Sequence, residues 1–267
     1  MVFHSQFNPV AFAIGPLTIH WYGIAFALTF VFGEWAVRQL LICEQRSDID
    51  TGNLTLYAMF GTILGARIVH CAFYDPQYYL ANPLKVIAVW EGGLASHGGV
   101  LGLILGLAMA SQKLAPGSLV LLLDRTTIPA ALGGAFVRLA NFVNSEILGR
   151  PTGGLFGVIF DAVDQIPRHP VQLYEAAAYL ALGALLFVLY QRTTASQTPG
   201  RLTGVFLLGV FGARLLLEIF KAPQASYEGD MILSVGQLLS VPFIGLGLIL
   251  ALRSDAQGHS VQKSMIL

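Results

Sequence analysis

The sequence predicts an all-α integral membrane protein with about seven transmembrane helices, an N-terminal arm and a short outward-facing cap segment. Of its 267 residues, 55% are apolar and only 11% are charged. The mean hydropathy of +0.68 is far above that of a typical soluble domain. A helix needs about 20 mostly apolar residues to cross the hydrocarbon core of a bilayer. Seven stretches of the chain meet that requirement.

The predicted spans nearly exhaust the chain, so we expect a single membrane domain over residues 1–267 without a separate soluble domain. The one longer connection, about 142–169, lies between the fourth and fifth spans and forms the predicted cap. The spans are expected at about 20–41, 54–74, 86–110, 119–140, 170–190, 203–221 and 232–252.

The basic residues outside the spans predict which side faces the cytoplasm, because cytoplasmic loops carry an excess of Lys and Arg. Seven fall on the side of the C-terminal tail and four on the side of the cap. We therefore expect the N-terminus and the cap outside and the C-terminus in the cytoplasm. The larger group is Arg38, Arg46, Lys113, Arg192, Arg201, Arg253 and Lys263, and the smaller group is Lys85, Arg150, Arg168 and Lys221.

Composition disfavours two classes of function. Cys43, Cys71 and the histidines lack the spacing of metal ligands, so a metal enzyme is not expected. The formal net charge is zero, which gives no indication of a nucleic-acid partner.

Ionisable residues inside the apolar stretches are the strongest functional candidates, because each costs a few kcal/mol at the bilayer centre unless it is paired or hydrated. The alternative is internal ion pairing that only fixes helix packing, which is a strong interpretation for Arg125 beside Asp124. The residues in question are Arg67, Asp124, Arg125, Arg138, Glu175, Arg214 and Glu218.

Two segments combine arginine with polar neighbours in patterns that suit an anion. In GAFVRLANFVNSEILGRPTGG, residues 134–154, helical spacing places Arg138, Asn141 and Ser145 on one face, and such donors suit a phosphate and its hydroxyls. In GARLLLEIFK, residues 212–221, Glu218 can orient Arg214 four residues before it. The alternative for the first segment is an interhelical hydrogen-bond network, and the alternative for the second is an ion pair that only neutralises itself.

The stretch EGGLASHGG, residues 91–99, places an acid, a histidine and four glycines at the entry of a span. Glycine is about 1 kcal/mol worse than alanine in a helix interior, so we expect an unwound turn or a close backbone approach. We interpret the stretch as the mouth of a site, where His97 could accept a proton. The alternative is a satisfied interfacial histidine beside packing glycines.

Five motifs in this order resemble the prolipoprotein diacylglyceryl transferase family. They are HWYG at 20–23, GGLASHGG at 92–99, RLANFVNSEILGRP at 138–151, RHPVQLYE at 168–175 and RLLLEIFK at 214–221. The resemblance covers nearly the whole chain, and the 138–151 block is its most specific part. One difference is Ser145, which stands where the family commonly has glycine.

The resemblance implies an enzyme of the bacterial inner (plasma) membrane, with its active site toward the outer face. Such enzymes transfer the diacylglyceryl group of phosphatidylglycerol to the lipobox cysteine of a prolipoprotein signal peptide. The reaction forms a thioether, releases glycerol phosphate and requires neither a metal nor an organic cofactor. The implied partners are the lipid, the signal peptide and the bilayer, with no nucleic acid.

By the same resemblance, Arg138 and Arg214 bind the phosphate and headgroup, and His97 is the candidate base for the incoming thiol. The residues implied to shape or line the pocket are Asn141, Asn144, Glu146, Gly149, Tyr22, Glu218, Arg67, Gly98 and Gly99. Second-rank members are His20, His169 and Glu175.

Two other classes of function remain open on the sequence. Buried arginines also occur in polytopic transporters of anionic or lipid substrates, whose sites lie near the bilayer midplane. In a receptor or scaffold the same residues would only brace helices. The motifs here gather toward one membrane face, which favours an interfacial enzyme.

Overall fold

A computed structural model describes residues 2–15, 17–114, 118–154, 156–222 and 234–253. Its helices are α1 (Trp21–Cys43), α2 (Thr51–Phe73), α3 (Pro76–Ala81), α4 (Ser96–Leu114), α5 (Leu119–Val143), α6 (Val171–Arg192), α7 (Arg201–Leu217) and α8 (Val235–Ala251). Its strands are β1 (Val2–Ser5), β2 (Val10–Ile14), β3 (Leu17–His20) and β4 (Gly157–Phe160).

The predicted membrane character is confirmed at the level of composition and helix length. Among the described residues, five helices are long and apolar enough to span a bilayer: α1, α2, α5, α6 and the helical run Arg201–Phe220, which extends α7. The helix α8 is apolar but shorter, and α4 is not among the five. The predicted count of seven spans therefore stays a prediction.

The predicted start of the third span at about residue 86 is wrong. The chain forms short 3-10 turns over Pro83–Ile87 and Val89–Glu91, and the helix α4 begins only at Ser96. Gly92 and Gly93 adopt positive φ angles of 85° and 69°, a conformation that ends a right-handed helix. At the seventh predicted span, residues 232 and 233 lie outside the described residues, and α8 begins at Val235.

The fold is mostly helical, but the prediction of an all-α chain is wrong in detail. The N-terminal arm forms the antiparallel hairpin β2–β3, and β1 pairs in parallel with β4 of the segment predicted as the cap. Asp161 accepts hydrogen bonds from Gln6 and His4, which hold the pKa of its carboxyl below the usual value. Strands of four or five residues with distant partners give too weak a periodic signal to be predicted.

Asp124 and Arg125 do not pair with each other, contrary to one interpretation of the sequence. The carboxylate of Asp124 accepts hydrogen bonds from the backbone N–H groups of Gly200 (2.7 Å) and Thr203 (2.8 Å) at the start of α7. Arg125 instead pairs with Glu44, with 2.7 Å between Nε and Oε1. Both residues therefore fasten helix ends, α7 in one case and α1 in the other.

Among the described residues four helix pairs pack closely: α2 with α4, α7 with α8, α5 with α6, and α1 with α5. Two of these pairs, α2–α4 and α1–α5, have only sparse contacts with each other. The first pair is in backbone contact. A Cβ added to Gly102 would overlap the carbonyl oxygen of Gly61, and one added to Gly98 would overlap that of Gly65. Small residues let membrane helices approach this closely, which replaces side-chain packing by backbone packing.

We expect Gly102→Ala to lower the thermal stability of the purified protein, because the added methyl group must push two backbones apart. The matched control is Gly245→Ala in α8, where an added Cβ meets no atom within 4 Å. Thermal unfolding in detergent measures both variants. Equal melting temperatures for the two would contradict the close α2–α4 contact.

Candidate active site

A buried chain of alternating charges links α5, α6 and the turn that follows α7. The Nε of Arg138 lies 3.0 Å from Oε2 of Glu175, and the Nζ of Lys221 lies 2.8 Å from Oε1 of the same carboxylate. Lys221 also lies 3.1 Å from Oε2 of Glu218. Glu175 is 1% exposed and Lys221 6%, so these pairs act in a medium of low dielectric constant.

Secondary structure determines where each member of this chain lies. Arg138 lies in the last two turns of α5, and Glu175 lies in the second turn of α6. Glu218 begins a 3-10 turn, Glu218–Phe220, directly after α7, and Lys221 follows it in extended conformation. Segments from three parts of the chain therefore converge at one end of the bundle.

Arg214 lies beside this chain with part of its guanidinium unpaired. Its Nε is buried, and no hydrogen-bond partner for it occurs among the described residues. A Cβ built on Gly236 of α8 would lie 3.1 Å from Nε and NH2 of Arg214 and 2.7 Å from Oε1 of Glu218. The absence of a side chain at Gly236 thus leaves room for both groups.

Tyr179 is close to both arginines. It is a buried residue of α6 within electrostatic reach of Arg138, Glu175 and Arg214. The arginines therefore share one neighbourhood. An anion placed there would meet the guanidinium of Arg138, which Glu175 holds, and the partly unpaired guanidinium of Arg214.

The end of α5 differs from the prediction. The helix ends at Val143 and Ser145 has a φ of 56°, so Ser145 is not on the helix face of Arg138 and Asn141. The left-handed turn instead returns Glu146 toward the helix. Its carboxylate accepts hydrogen bonds from Asn141 (2.9 Å) and Asn144 (3.3 Å).

This turn connects further predicted residues to the cluster. Asn141 accepts a long, 3.4 Å hydrogen bond from Arg138, and Gln172 donates to the backbone oxygen of Glu146 at 2.6 Å. Tyr22, at the start of α1, lies within electrostatic reach of Glu146 and Arg138. The structure therefore brings together Tyr22, Arg138, Asn141, Asn144, Glu146, Glu175, Arg214 and Glu218.

Gly149 and His169 form the adjoining wall. A Cβ on Gly149 would overlap the carbonyl oxygen of His169, so only glycine allows the two backbones to approach this closely. The His169 ring packs against Phe156, Tyr174 and Phe220. These contacts support the segment that carries Lys221 rather than the arginines directly.

Arg67 has a different environment from the one predicted. It is 3% exposed and donates to the backbone oxygens of Lys85 (2.5 Å), Val86 (2.8 Å) and Gly92 (2.5 Å). All three nitrogens of its guanidinium donate to the loop before α4, which satisfies a cation that has no acidic partner in the nearby sequence. No hydrogen bond or ion pair joins it to the arginine cluster within the described part of the chain.

The predicted mouth lies at the first turn of α4. His97 is exposed and shares a helix face with the exposed residues Leu101 and Leu105. Gly98 packs against Gly65 and Val69, and Gly99 packs against Thr62. The structure does not bring His97 into hydrogen-bonding contact with the described arginines, and His20 is likewise exposed, at the N-terminal cap of α1.

A cavity of about 230 Å³ lies between the two helix pairs, lined by α1, α2, α4 and α5. Its wall on α5 runs from Thr126 to Val137, one residue before Arg138, and is almost wholly apolar. Glu34 is the one formally charged residue in this lining, and it accepts a hydrogen bond from Thr51 at 2.7 Å. An apolar cavity that ends beside a cationic cluster can accommodate an amphiphile with an anionic head.

Four contributors were missed from the sequence: Gln172 as a contact of Glu146, Tyr179, Lys221 and Gly236. Lys221 was counted only as an outward loop charge. Its spacing of three residues from Glu218 was the available signal, because such pairs can interact on one helical turn. No sequence signal pointed to Gly236, since its role depends on how α8 packs on α7.

The chain is similar to known proteins over most of its length. The family model described as prolipoprotein diacylglyceryl transferase matches residues 9–253. A Tolumonas auensis protein named phosphatidylglycerol–prolipoprotein diacylglyceryl transferase is 46% identical over 247 residues, which cover 92% of this chain and 95% of that protein.

Two further relatives carry the same name. The protein from Chloroherpeton thalassium is 45% identical and covers 94% of each chain. The protein from Porphyromonas gingivalis is 40% identical and covers 93% of each chain. Similarity of this degree extends over nearly the full length of the chain. The chain belongs to the prolipoprotein diacylglyceryl transferase family.

Proposed function

We propose that the chain transfers the diacylglyceryl group of phosphatidylglycerol to the thiol of a prolipoprotein lipobox cysteine, releasing glycerol phosphate. The names of its relatives support both substrates. It would act as a multi-pass protein of the bacterial inner membrane, with its N-terminus outside, its C-terminus in the cytoplasm and its active site toward the outer face. The distribution of basic residues supports this orientation.

The observation that carries the proposal is the pair of arginines, Arg138 and Arg214, in one buried cluster. The cluster contains three cations, the third being Lys221, and two carboxylates, Glu175 and Glu218. These five groups carry one positive charge in excess, which the carboxylate of Glu146 near Arg138 offsets. The preference for an anion therefore rests on the guanidinium donors, which match the oxygens of a phosphate. A transporter is less well supported, because the cluster lies at one end of the bundle instead of the midplane.

The proposed chemistry is a substitution at the glyceryl carbon that bears the phosphate. The thiolate sulfur forms a bond to that carbon while the carbon–oxygen bond breaks, and the electron pair leaves on the phosphate oxygen of glycerol phosphate. The arginines stabilise the charge that develops on this leaving group, and preorganised donors are most effective in a water-poor site. The apolar cavity beside Val137 suits an acyl chain of the donor lipid.

The thiol must lose its proton, because a thiol with a pKa of about 8.5 is mostly protonated at neutral pH. We assign the base role to His97, on the resemblance of its motif and on its exposed position at the first turn of α4. An exposed imidazole there is accessible to a thiol that arrives on a membrane-bound peptide.

The direct test is an assay with purified protein, labelled phosphatidylglycerol and a lipobox peptide in mixed vesicles. We expect equal amounts of released glycerol phosphate and of thioether-linked peptide. A peptide with serine in place of the lipobox cysteine is the control and should release none. Transport of lipid without release of glycerol phosphate would contradict the proposal.

Arg138→Lys should lower kcat/KM by roughly tenfold, because an ammonium cannot reproduce the two-pronged contact of a guanidinium. Arg138→Ala should lower it by about 10²–10³-fold, the usual cost of removing a preorganised donor. Initial rates of glycerol phosphate release measure both. Arg38→Lys, an exposed residue of α1, is the control. An unimpaired Arg138→Lys enzyme would mean that charge alone suffices.

His97→Gln should lower turnover by about 10²–10⁴-fold, the usual contribution of a general base, while lipid binding is kept. The loss should shrink as the pH rises toward the thiol pKa, since less of the thiol then needs a base. A pH–rate profile measures this, with the exposed His4→Gln as control. Normal turnover of His97→Gln at neutral pH would remove the base assignment.

A further inference from the structure

Lys221 lies at the centre of the charge cluster and contacts one oxygen of each of two carboxylates. Glu175 uses Oε1 for Lys221 (2.8 Å) and Oε2 for Arg138 (3.0 Å). Glu218 uses Oε2 for Lys221 (3.1 Å), while its Oε1 faces the small space over Gly236 that it shares with Arg214. Glu175 therefore has one oxygen on the lysine and one on Arg138, whereas Glu218 has one oxygen on the lysine and one beside the space that Arg214 also lines.

The backbone around Lys221 is held in place by the segment after α5. The backbone N–H of Arg150 donates to Phe220 (2.7 Å), and its Nε donates to the carbonyl oxygen of Lys221 (2.9 Å). The N–H of Ala222 donates to Leu148 at 3.0 Å. A buried lysine on a backbone fixed from both sides is held in a defined direction, as a group that orients others must be.

The contacts of Lys221 with the two carboxylates determine which donors of the arginines stay available. A carboxylate with both oxygens free tends to take both prongs of a guanidinium fork. If Glu175 and Glu218 each paired in that way, the donors of Arg138 and Arg214 would be occupied by the two carboxylates. Because Lys221 contacts one oxygen of each glutamate, donors of both arginines stay available.

We infer that Lys221 is a positioning residue, which holds Glu175 and Glu218 so that Arg138 and Arg214 can bind the phosphate of the donor lipid. The inference rests on the proposed function and adds to it a third cation that acts through the two carboxylates.

The test measures kcat and KM for phosphatidylglycerol, together with the inhibition constant of free glycerol phosphate, which reports on the anion site alone. For Lys221→Met we expect KM and the inhibition constant to rise together by about tenfold or more. The reason is that the variant loses binding that is equally strong in the ground state and the transition state. Lys221→Arg, which can contact both glutamates, should stay within about threefold of the parent. The control is Lys113→Met, an exposed lysine over the Tyr57 ring at the far end of α4.

The activity of the parent enzyme in the same assay distinguishes failure of the proposed function from failure of the role proposed for Lys221. A parent protein without transferase activity contradicts the proposed function. An active parent with an unchanged inhibition constant in Lys221→Met overturns the positioning role, and so does a Lys221→Arg variant as impaired as Lys221→Met. A lower kcat with unchanged KM and inhibition constant would indicate a smaller fraction of active enzyme, and it would also overturn the positioning role.

Removing one partner of a buried ion pair can unfold a protein, so a second background is needed. In Glu218→Gln, the lysine has one carboxylate fewer to neutralise. If Lys221→Met does not fold alone, the same substitution is measured in that background. We expect the double variant to have a higher inhibition constant for glycerol phosphate than Glu218→Gln, because Glu175 is then free to close on Arg138. Equal constants would overturn the inference.

Discussion

The balance of buried charge at one end of the helical bundle is the constraint on which the rest of this structure depends. Arg138 and Arg214 lie in positions where an unpaired cation is costly, and yet a phosphate site requires them to keep free donors. Two glutamates alone would remove the cost and also the function. The cluster meets both requirements with Lys221, which contacts one oxygen of each carboxylate.

The fold is arranged so that these groups can meet. The end of α5, the start of α6 and the turn after α7 supply the charges, and the segment between α5 and α6 holds the last of them in place. The tight α2–α4 pair and the α1–α5 pair enclose an apolar cavity that reaches Val137, beside Arg138. Polar and apolar requirements of an anionic lipid are therefore met by adjacent parts of one site.

Arg67 and Arg125 show that a buried arginine is not by itself a catalytic signal. Arg67 binds four backbone carbonyls of the loop before α4, and Arg125 pairs with Glu44. Both Arg125 and Arg214 keep one buried nitrogen without a partner in the described part of the chain. What distinguishes Arg214 is that no ion pair with a carboxylate occupies its guanidinium among the described residues.

The sequence by itself determined the membrane class, most helix positions and the family, and it pointed to the two arginines proposed here for the site, because hydropathy, length and local motifs are properties of contiguous residues. It did not predict the late start of α4, the pairing of β1 with β4, the turn that returns Glu146 to Asn141, or the positions of Tyr179 and Gly236. The strand pairing and the positions of Tyr179 and Gly236 depend on groups distant in the chain. The turn at Ser145 and the glycines before α4 are local, but they are backbone conformations that hydropathy does not report. Lys221 makes the reason plain, since its neighbours in sequence predict an outward loop charge, and only the convergence of three segments buries it between two carboxylates.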